Sequence, residues 1–317
     1  MTEFELIRRY FARATPSALL GVGDDAALLK IGEGNVLAVS SDMLASGTHF
    51  FPDADPFLLG HKTLAVNLSD MAAMGAVPRW TTLAVALPRI DEAWLEKFSA
   101  GFFALAQQHS VELVGGDTTR GSLNLSVTIL GEVPAQQALR RSGAQIGDEI
   151  WVSGTLGDAA LALAHLQGRI KLGAKEYAAC APALHQPQPR VALGLALRGI
   201  ATSAIDISDG LLADLGHILD ASHAGAEIDF TLLPVSEVLH DYLPHSLGKQ
   251  CVLSGGDDYE LCFTAPRKCR AELPDIARRL NLPLTCIGNI VTGSSCLVHD
   301  AAGNSLHIEA TGYDHFR

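Results

Sequence analysis

Residues 203–219 read SAIDISDGLLADLGHIL, an apolar strand that passes through an acidic turn into an apolar helix. The pattern predicts a strand over 203–207 and a helix over 210–222. Asp206 and Ser208 fall on one face of the extended segment, because side chains alternate along it. Asp206 lies between two isoleucines, and a buried charge must be paired or bound to a metal. We therefore predict a functional role for Asp206.

Strands and helices are mixed in the same way along the rest of the chain. Further strands are predicted over 36–41, 80–87, 111–115, 123–133, 149–154, 226–230, 259–264, 284–290 and 295–299. Further helices are predicted over 57–75, 91–109, 157–167, 174–183, 190–198, 235–243 and 268–280. This pattern indicates an α/β (α+β) protein with mixed, partly antiparallel sheets. The polar segment AQQALRRSGAQIGD at 135–148 is the best boundary, which gives domains over 1–138 and 139–317.

Aspartates occupy the turns at which a phosphate binder normally presents positive groups or bare backbone N–H groups. They are Asp24, Asp25, Asp42, Asp70, Asp117, Asp206, Asp209, Asp257 and Asp258. These carboxylates would repel a phosphate unless cations came between. Hard oxygen ligands suit Mg²⁺, which bridges a few carboxylates to substrate phosphates. The sequence therefore predicts a protein that handles phosphates through several magnesium ions.

Each motif also has a structural interpretation. GVGDDA at 21–26 matches a dinucleotide fingerprint only weakly and is better explained as a tight turn. Ser40-Ser41-Asp42, expected at a strand end, suits either Mg²⁺ or a cap. GGDTTRG at 115–121 is expected to form a loop after a strand. Its two glycines would let the backbone approach a phosphate closely, and the functional interpretation is favoured because a similar motif, GGDD, recurs at 255–258. The chain has no G-x-x-x-x-G-K-[ST] motif, which excludes a P-loop enzyme at the level of motifs.

Composition narrows the class of protein. The chain has 317 residues and a formal net charge of −12, which argues against nucleic acid and anionic membranes as partners. Six cysteines without a C-x-x-C pair predict reduced core thiols rather than a zinc site. MTEFELIRRY is not a secretory signal, and no window is apolar enough to span a membrane. We expect a soluble, cytoplasmic protein.

Taken together, the motifs resemble the thiamine-monophosphate kinase family, within the superfamily of aminoimidazole ribonucleotide synthetase-like ATP-binding proteins. The resemblance extends almost from end to end. It rests on the order of FELIRRYF, GVGDDAALL, SSDM, HFFPD, HKTLAVNLSDMAAMGA, LVGGDTTRG, RSGA, SAIDISDGLLADLGHI, SGGDDYELCFT and GYDHF. It implies the two-domain aminoimidazole ribonucleotide synthetase-like fold, with an N-terminal domain that binds ATP and magnesium and forms a homodimer.

The resemblance also implies site residues. The metal ligands would be Asp25, Ser40, Ser41, Asp42, Asp70, Asp117, Asp206 and Asp209. The nucleotide contacts would be Gly116, Asp117, Arg141 and Ser208, and the thiamine pocket would be lined by His49, Asp257 and Tyr313. Asp42, Asp117 and Asp209 would be catalytic. The family position that matches Asp257 is often Glu, which has a longer reach.

The implied reaction converts ATP and thiamine monophosphate into ADP and thiamine diphosphate by direct in-line transfer, assisted by several Mg²⁺ ions. Two other interpretations stay open. One is a related synthetase, although a selenophosphate synthetase-like protein usually has a reactive Cys near its N-terminus and this chain has none before Cys180. The other is a non-catalytic sensor of nucleotide or magnesium, against which the complete set of acidic positions argues.

Overall fold

The computed structural model describes residues 2–306 and 312. The chain forms two compact units. Unit 1 contains the chain up to Met71 together with Ala76–Gln136, and unit 2 contains Ala72–Gly75 together with the chain from Gln137 onward. Within the described ranges, no helix has the length and apolar character needed to cross a membrane.

Unit 1 is a mixed sheet with helices. Its helices are α1 (Glu3–Leu6), α2 (Pro56–Ala73) and α3 (Glu92–Gln108), and its strands are β1 (Asn35–Ala45), β2 (Val77–Leu87), β3 (Glu112–Arg120) and β4 (Asn124–Pro134). The strand order is β1-β4-β2-β3. β2 and β3 are parallel and α3 connects them, whereas β4 runs antiparallel to both β1 and β2.

Two glycines allow α2 and α3 to pack closely. A Cβ added at Gly60 of α2 would overlap the Phe98 carbonyl oxygen and lie 2.9 Å from the Phe102 nitrogen, both on α3. A Cβ at Gly101 of α3 would lie 2.8 Å from the Phe57 carbonyl carbon on α2. Backbone therefore meets backbone here, and only glycine leaves room for the contact.

The two faces of the unit 1 sheet differ. One face carries fully buried side chains such as Leu125, Val127 and Ile129 of β4. On β1, the side chains of Val39 and Met43 are more than half exposed. Alternation along the strand places them on the opposite face from Leu44, which is buried. The sheet thus has one buried face and one face that exposes apolar side chains along β1.

Unit 2 is a larger mixed sheet with helices. Its strands are β5 (Glu149–Ser153), β6 (Ser203–Asp206), β7 (Gly225–Asp229), β8 (Leu261–Ala265), β9 (Leu284–Val291) and β10 (Cys296–His299). Its helices are α4 (Asp158–Leu166), α5 (Ala174–His185), α6 (Val191–Ala196), α7 (Leu211–Ser222), α8 (Glu237–His240), α9 (Ser246–Ser254) and α10 (Leu273–Leu280). The strand order is β10-β7-β9-β5-β8-β6. Leu211, Leu215 and Ile218 of α7 join a continuous apolar core in this unit.

The structure confirms the predicted fold class and corrects several boundaries. Asp42 is not at a strand end, because β1 stays paired with β4 as far as Ala45. GGDTTRG is not a loop, because β3 stays paired with β2 through Arg120. The helix predicted over 268–280 is divided into a 3₁₀ turn and α10, since Pro274 has no N–H to donate and fits only a first helical turn.

Other differences concern short elements and thiols. α8 is shorter than the helix predicted over 235–243, and α9 was not predicted. All six cysteines are free, as expected. Cys180, Cys251, Cys262 and Cys269 are buried, whereas Cys286 and Cys296 are only partly so.

Candidate active site

In unit 1, three predicted metal ligands lie where β1 faces α2. The Ser40 hydroxyl donates a 2.6 Å hydrogen bond to Oδ2 of Asp70. The Asp42 N–H donates to Oδ1 of Asn67 at 3.3 Å. The Asn67 amide in turn donates to the Thr63 carbonyl at 3.2 Å, which fixes its orientation. Asn67 and Asp70 are three residues apart and so lie on one side of α2.

Ser41 belongs to the other face of β1, because adjacent side chains in a strand point in opposite directions. Its hydroxyl lies 3.0 Å from the Thr128 hydroxyl and 3.1 Å from the Val127 carbonyl oxygen. The Ser41 side chain is exposed. The two adjacent serines of the SSDM motif therefore have different surroundings, and only the Ser40 hydroxyl bonds to Asp70.

Asp117 lies on β3 beside a glycine that the fold requires. Gly116 has φ +150°, and a Cβ there would overlap the Leu83 carbonyl group of β2. Asp117 is exposed and pairs with Ala84 of β2. Since β4 and β2 lie between β1 and β3, the backbones at Asp42 and Asp117 are about 14 Å apart, three strand spacings. One ion cannot be held by both carboxylates at that separation.

Three other predicted site residues, Asp25, His49 and Arg141, are exposed or partly exposed. Asp25 is exposed, and its N–H donates to Oδ1 of Asp24 at 2.9 Å. Nδ1 of His49 accepts the Ala45 N–H at 3.0 Å, which anchors the ring to the end of β1 and leaves the ring proton of the neutral form on Nε2. Arg141, in unit 2, is exposed, and its carbonyl accepts the Ser222 hydroxyl at 3.3 Å.

In unit 2, the structure brings two acidic segments together. β6 and β8 are antiparallel, and their pairing continues beyond the strand ends. The Tyr259 N–H donates to the Ile207 carbonyl and the Asp257 N–H donates to the Ser208 carbonyl, each at 2.8 Å. The segments SDG and GGDD therefore lie side by side. Asp206 is 6% exposed, which confirms the predicted burial of this aspartate.

Asp214, a residue that sequence reasoning did not single out, holds the first of these segments. Its Oδ2 accepts the N–H groups of Ser208, Asp209 and Gly210 at 3.0, 3.0 and 3.1 Å. Burial raises the pKa of Asp214 to about 7, with a further contribution from the Asp206 and Asp209 carboxylates. The signal in the sequence was a lone acid in the first turn of an apolar helix, where backbone N–H groups are available.

The second acidic segment combines backbone strain with buried acids. Asp257 has φ +68° and Tyr259 has φ +50°, conformations that cost energy in residues with side chains. Both carboxylate oxygens of Asp258 accept the Gly157 N–H, at 3.0 and 2.9 Å, and burial raises the Asp258 pKa well above its usual value. Glu260 accepts the Ser153 hydroxyl at 2.5 Å and the Arg190 Nε–H at 2.7 Å.

The last predicted pocket residue, Tyr313, lies outside the described residues. Its neighbour Gly312 is described, and a Cβ there would overlap the Ala213 side chain and lie 3.0 Å from the Asp209 carbonyl oxygen. Gly312 is therefore next to the turn that carries Asp209.

The donors assembled at both sites are oxygen atoms of carboxylates, hydroxyls and amides, which suits Mg²⁺ rather than zinc. Over residues 2–306 and 312, no three His, Cys, Asp or Glu side chains stand in a group ready to hold a metal.

Comparison with known proteins gives the family. The sequence models of the AIR synthase related protein N-terminal and C-terminal domains match residues 23–133 and 145–299. Thiamine-monophosphate kinase of Escherichia coli (strain K12) is 49% identical over 318 residues, which cover 99% of this chain and 98% of that protein. The Haemophilus influenzae thiamine-monophosphate kinase is 43% identical, with 100% and 98% coverage.

Solved structures similar to this chain indicate the same family. The crystal structure of thiamine-monophosphate kinase from Stenotrophomonas maltophilia K279a has a TM-score of 0.87 and 51% identity, and covers 96% of this chain and 98% of that one. AaThiL complexed with AMPPCP and TMP has a TM-score of 0.78 and 28% identity, with 99% and 96% coverage. The E. coli hydrogenase maturation protein HypE has a TM-score of 0.80 at 20% identity, a likeness of fold alone, with 99% and 97% coverage. The chain belongs to the thiamine-monophosphate kinases, enzymes of the AIR synthase related family.

Proposed function

We propose that this enzyme transfers the γ-phosphoryl group of ATP directly to thiamine monophosphate, in line and with several Mg²⁺ ions, to give thiamine diphosphate. The observation that carries the proposal is the hydrogen bond from Ser40 Oγ to Asp70, together with the burial of Asp206. The relative solved with AMPPCP and TMP, which matches 99% of this chain, supports the choice of substrates.

Charge explains why cations are needed. Two like charges 4 Å apart repel by about 4 kcal/mol at an effective dielectric of 20, and the donor and acceptor phosphates bring several such pairs. Bound Mg²⁺ would offset this repulsion and align the two phosphates. Asp25, Ser40, Ser41, Asp42, Asp70, Asp117, Asp206 and Asp209 are the proposed ligands. The residues proposed to lie nearest the reacting phosphates are Asp42, Asp117 and Asp209. The proposed domains are an N-terminal domain over 1–138 and a C-terminal domain over 139–317.

The acceptor needs no general base from the protein. A phosphate monoester has its second pKa at about 6 and therefore arrives mostly deprotonated at neutral pH. The chain's own contribution is to position the two substrates. The nucleotide would be held by Gly116 and Asp117 of β3, by Arg141 and by Ser208. The close approach of β2 and β3 at Gly116 supports this role. The position beside Asp117 has no side chain, so a phosphate could approach the backbone there.

The thiazolium ring of the acceptor is a fixed cation. Tyr313 would receive it through a cation–π contact, worth about 0.5–2 kcal/mol, while Asp257 would attract its charge. His49 would line the same pocket, and its ring is already oriented by the Ala45 N–H. The left-handed backbone at Asp257 supports a functional role, because such strain concentrates at ligand sites.

The apolar face of β1 supports a homodimer. Val39 and Met43 are exposed on a strand at the edge of the unit 1 sheet, and a second copy of that edge would bury them. We further propose that the enzyme acts in the cytoplasm, where ATP is available and its six free thiols stay reduced.

Phosphorus-31 NMR of the purified protein with ATP, Mg²⁺ and thiamine monophosphate tests the reaction. We expect ADP and thiamine diphosphate to appear together. Both should be lost with EDTA and in Asp42→Asn, which we expect to keep the wild-type circular dichroism and melting temperature. A near-normal kcat for Asp42→Asn would refute the metal assignment. Absence of product despite tight binding of Mg·ATP would instead indicate a related synthetase or a sensor.

A further inference from the structure

One buried carboxylate oxygen organises the whole SDG turn. Oδ2 of Asp214 accepts three consecutive backbone N–H groups, from Ser208 to Gly210, and the Asp214 side chain is almost fully buried. Consecutive N–H groups that point to one place form a concave nest, which normally binds an anion. Here the chain itself supplies the acceptor, a carboxyl oxygen in the first turn of the following helix.

The opposite side of the turn is held by backbone. The Asp257 N–H donates to the Ser208 carbonyl at 2.8 Å. Gly210, with φ +125°, lies so close to α9 that a Cβ there would be 2.7 Å from the Ser254 carbonyl carbon. A Cβ at Gly256 would overlap the Ser208 carbonyl oxygen. The turn is therefore clamped between the GGDD segment and Asp214.

We propose that Asp214 is a positioning residue for phosphoryl transfer, which acts by accepting these three N–H groups and does not bind metal itself. Fixing the peptide groups at 208–210 fixes the directions in which the Ser208 and Asp209 side chains leave the backbone. This inference rests on the proposed function, in which Asp209 holds Mg²⁺ and Ser208 contacts the nucleotide.

The proposal separates the acceptor geometry of Asp214 from its charge. Asp214→Asn keeps an acceptor oxygen at the same distance and removes the charge. Asp214→Glu keeps the charge and moves the oxygens by one methylene. A positioning role predicts that Asn is tolerated better than Glu, whereas direct metal binding predicts the reverse order. Asp220→Asn, an exposed acid later in α7, is the matched control.

The first experiment is amide hydrogen exchange of peptides that span residues 208–210, in the full-length protein without ligands. We expect exchange there to be about tenfold faster in Asp214→Glu and in Asp214→Ala, as the loss of a buried acceptor predicts, and nearly unchanged in Asp214→Asn and Asp220→Asn. Unchanged exchange in both Asp214→Glu and Asp214→Ala would overturn the proposal. This measurement does not depend on the reaction.

The second experiment is the Mg²⁺ concentration for half-maximal rate, measured on the same variants. We expect it to rise about tenfold in Asp214→Glu and less than about threefold in Asp214→Asn. A larger rise in Asp214→Asn than in Asp214→Glu would assign a metal-binding role and overturn the proposal. If Asp214→Ala does not fold, the order of Asn and Glu still decides. If the wild type transfers no phosphate, the proposed function fails, and hydrogen exchange alone decides whether Asp214 holds the turn.

Discussion

Replacing Gly116 with alanine should damage β3 at the point where the nucleotide is proposed to bind. The new Cβ would lie 2.7 Å from the Leu83 carbonyl carbon and overlap its oxygen, and φ at this position is +150°. Ordinary carbon contacts are about 3.5–4.0 Å, so β2 and β3 must separate by about 1 Å. Strained backbone costs about 1–3 kcal/mol and overpacking costs a similar amount, so we expect a loss of about 3 kcal/mol in unfolding free energy.

Gly115→Ala is the matched control. It adds the same methyl group one residue earlier, where the nearest atom, Cγ2 of Thr82, is 3.7 Å away, an ordinary contact. Urea denaturation of both variants gives the difference in stability, and steady-state kinetics gives the KM for ATP. We expect Gly116→Ala to be the less stable by about 3 kcal/mol and to have the higher KM. Equal stability of the two variants would refute the reasoning.

Further predictions test other parts of the site. Tyr313→Ala should raise the KM for thiamine monophosphate about fivefold and leave the KM for ATP nearly unchanged, because only the acceptor is a thiazolium cation; equal changes in both would remove Tyr313 from the pocket. Ser40→Ala should raise the Mg²⁺ requirement more than Ser41→Ala does, since only Ser40 bonds to Asp70, and a titration of rate against Mg²⁺ that gave the opposite order would contradict this. Burial raises the pKa of Asp158, so the wild type should lose more unfolding free energy than Asp158→Asn does as pH rises above about 4, the ordinary pKa of an aspartate; equal losses in the two proteins, measured by urea denaturation at a series of pH values, would show that the carboxyl is not perturbed.

The sequence was a good guide wherever a pattern was local. The burial of Asp206 followed from its two isoleucine neighbours, and α2 and α3 followed from their periodicity. It was a poor guide where pairing with a distant strand decided the outcome. β3 continues through GGDTTRG because β2 supplies partners for it as far as Arg120, and nothing near those glycines distinguishes this from a turn.

Asp214 shows a similar limit for the site. Its residue type fits the first turn of a helix, and capping is an adequate local explanation. One oxygen of Asp214 can accept three N–H groups only because of the way the preceding turn is folded. This turn is also held by a segment almost fifty positions later in the chain. Ser40 and Ser41 present the same difficulty, since the motif does not reveal which hydroxyl faces Asp70.

The glycine contact between α2 and α3 limits how far α2 can tilt before the proposed metal ligand Asp70 is displaced. Asp70 is ten residues along α2 from Gly60, which at the rise of an α-helix makes a lever arm of about 15 Å. A side chain inserted at Gly60 or Gly101 that tilted α2 by about 5° would displace Asp70 by about 1.3 Å. Displacements of that size are enough to cost about a hundredfold in rate when reacting groups must be aligned. Substitutions at these two glycines should therefore impair phosphoryl transfer even where the protein still folds.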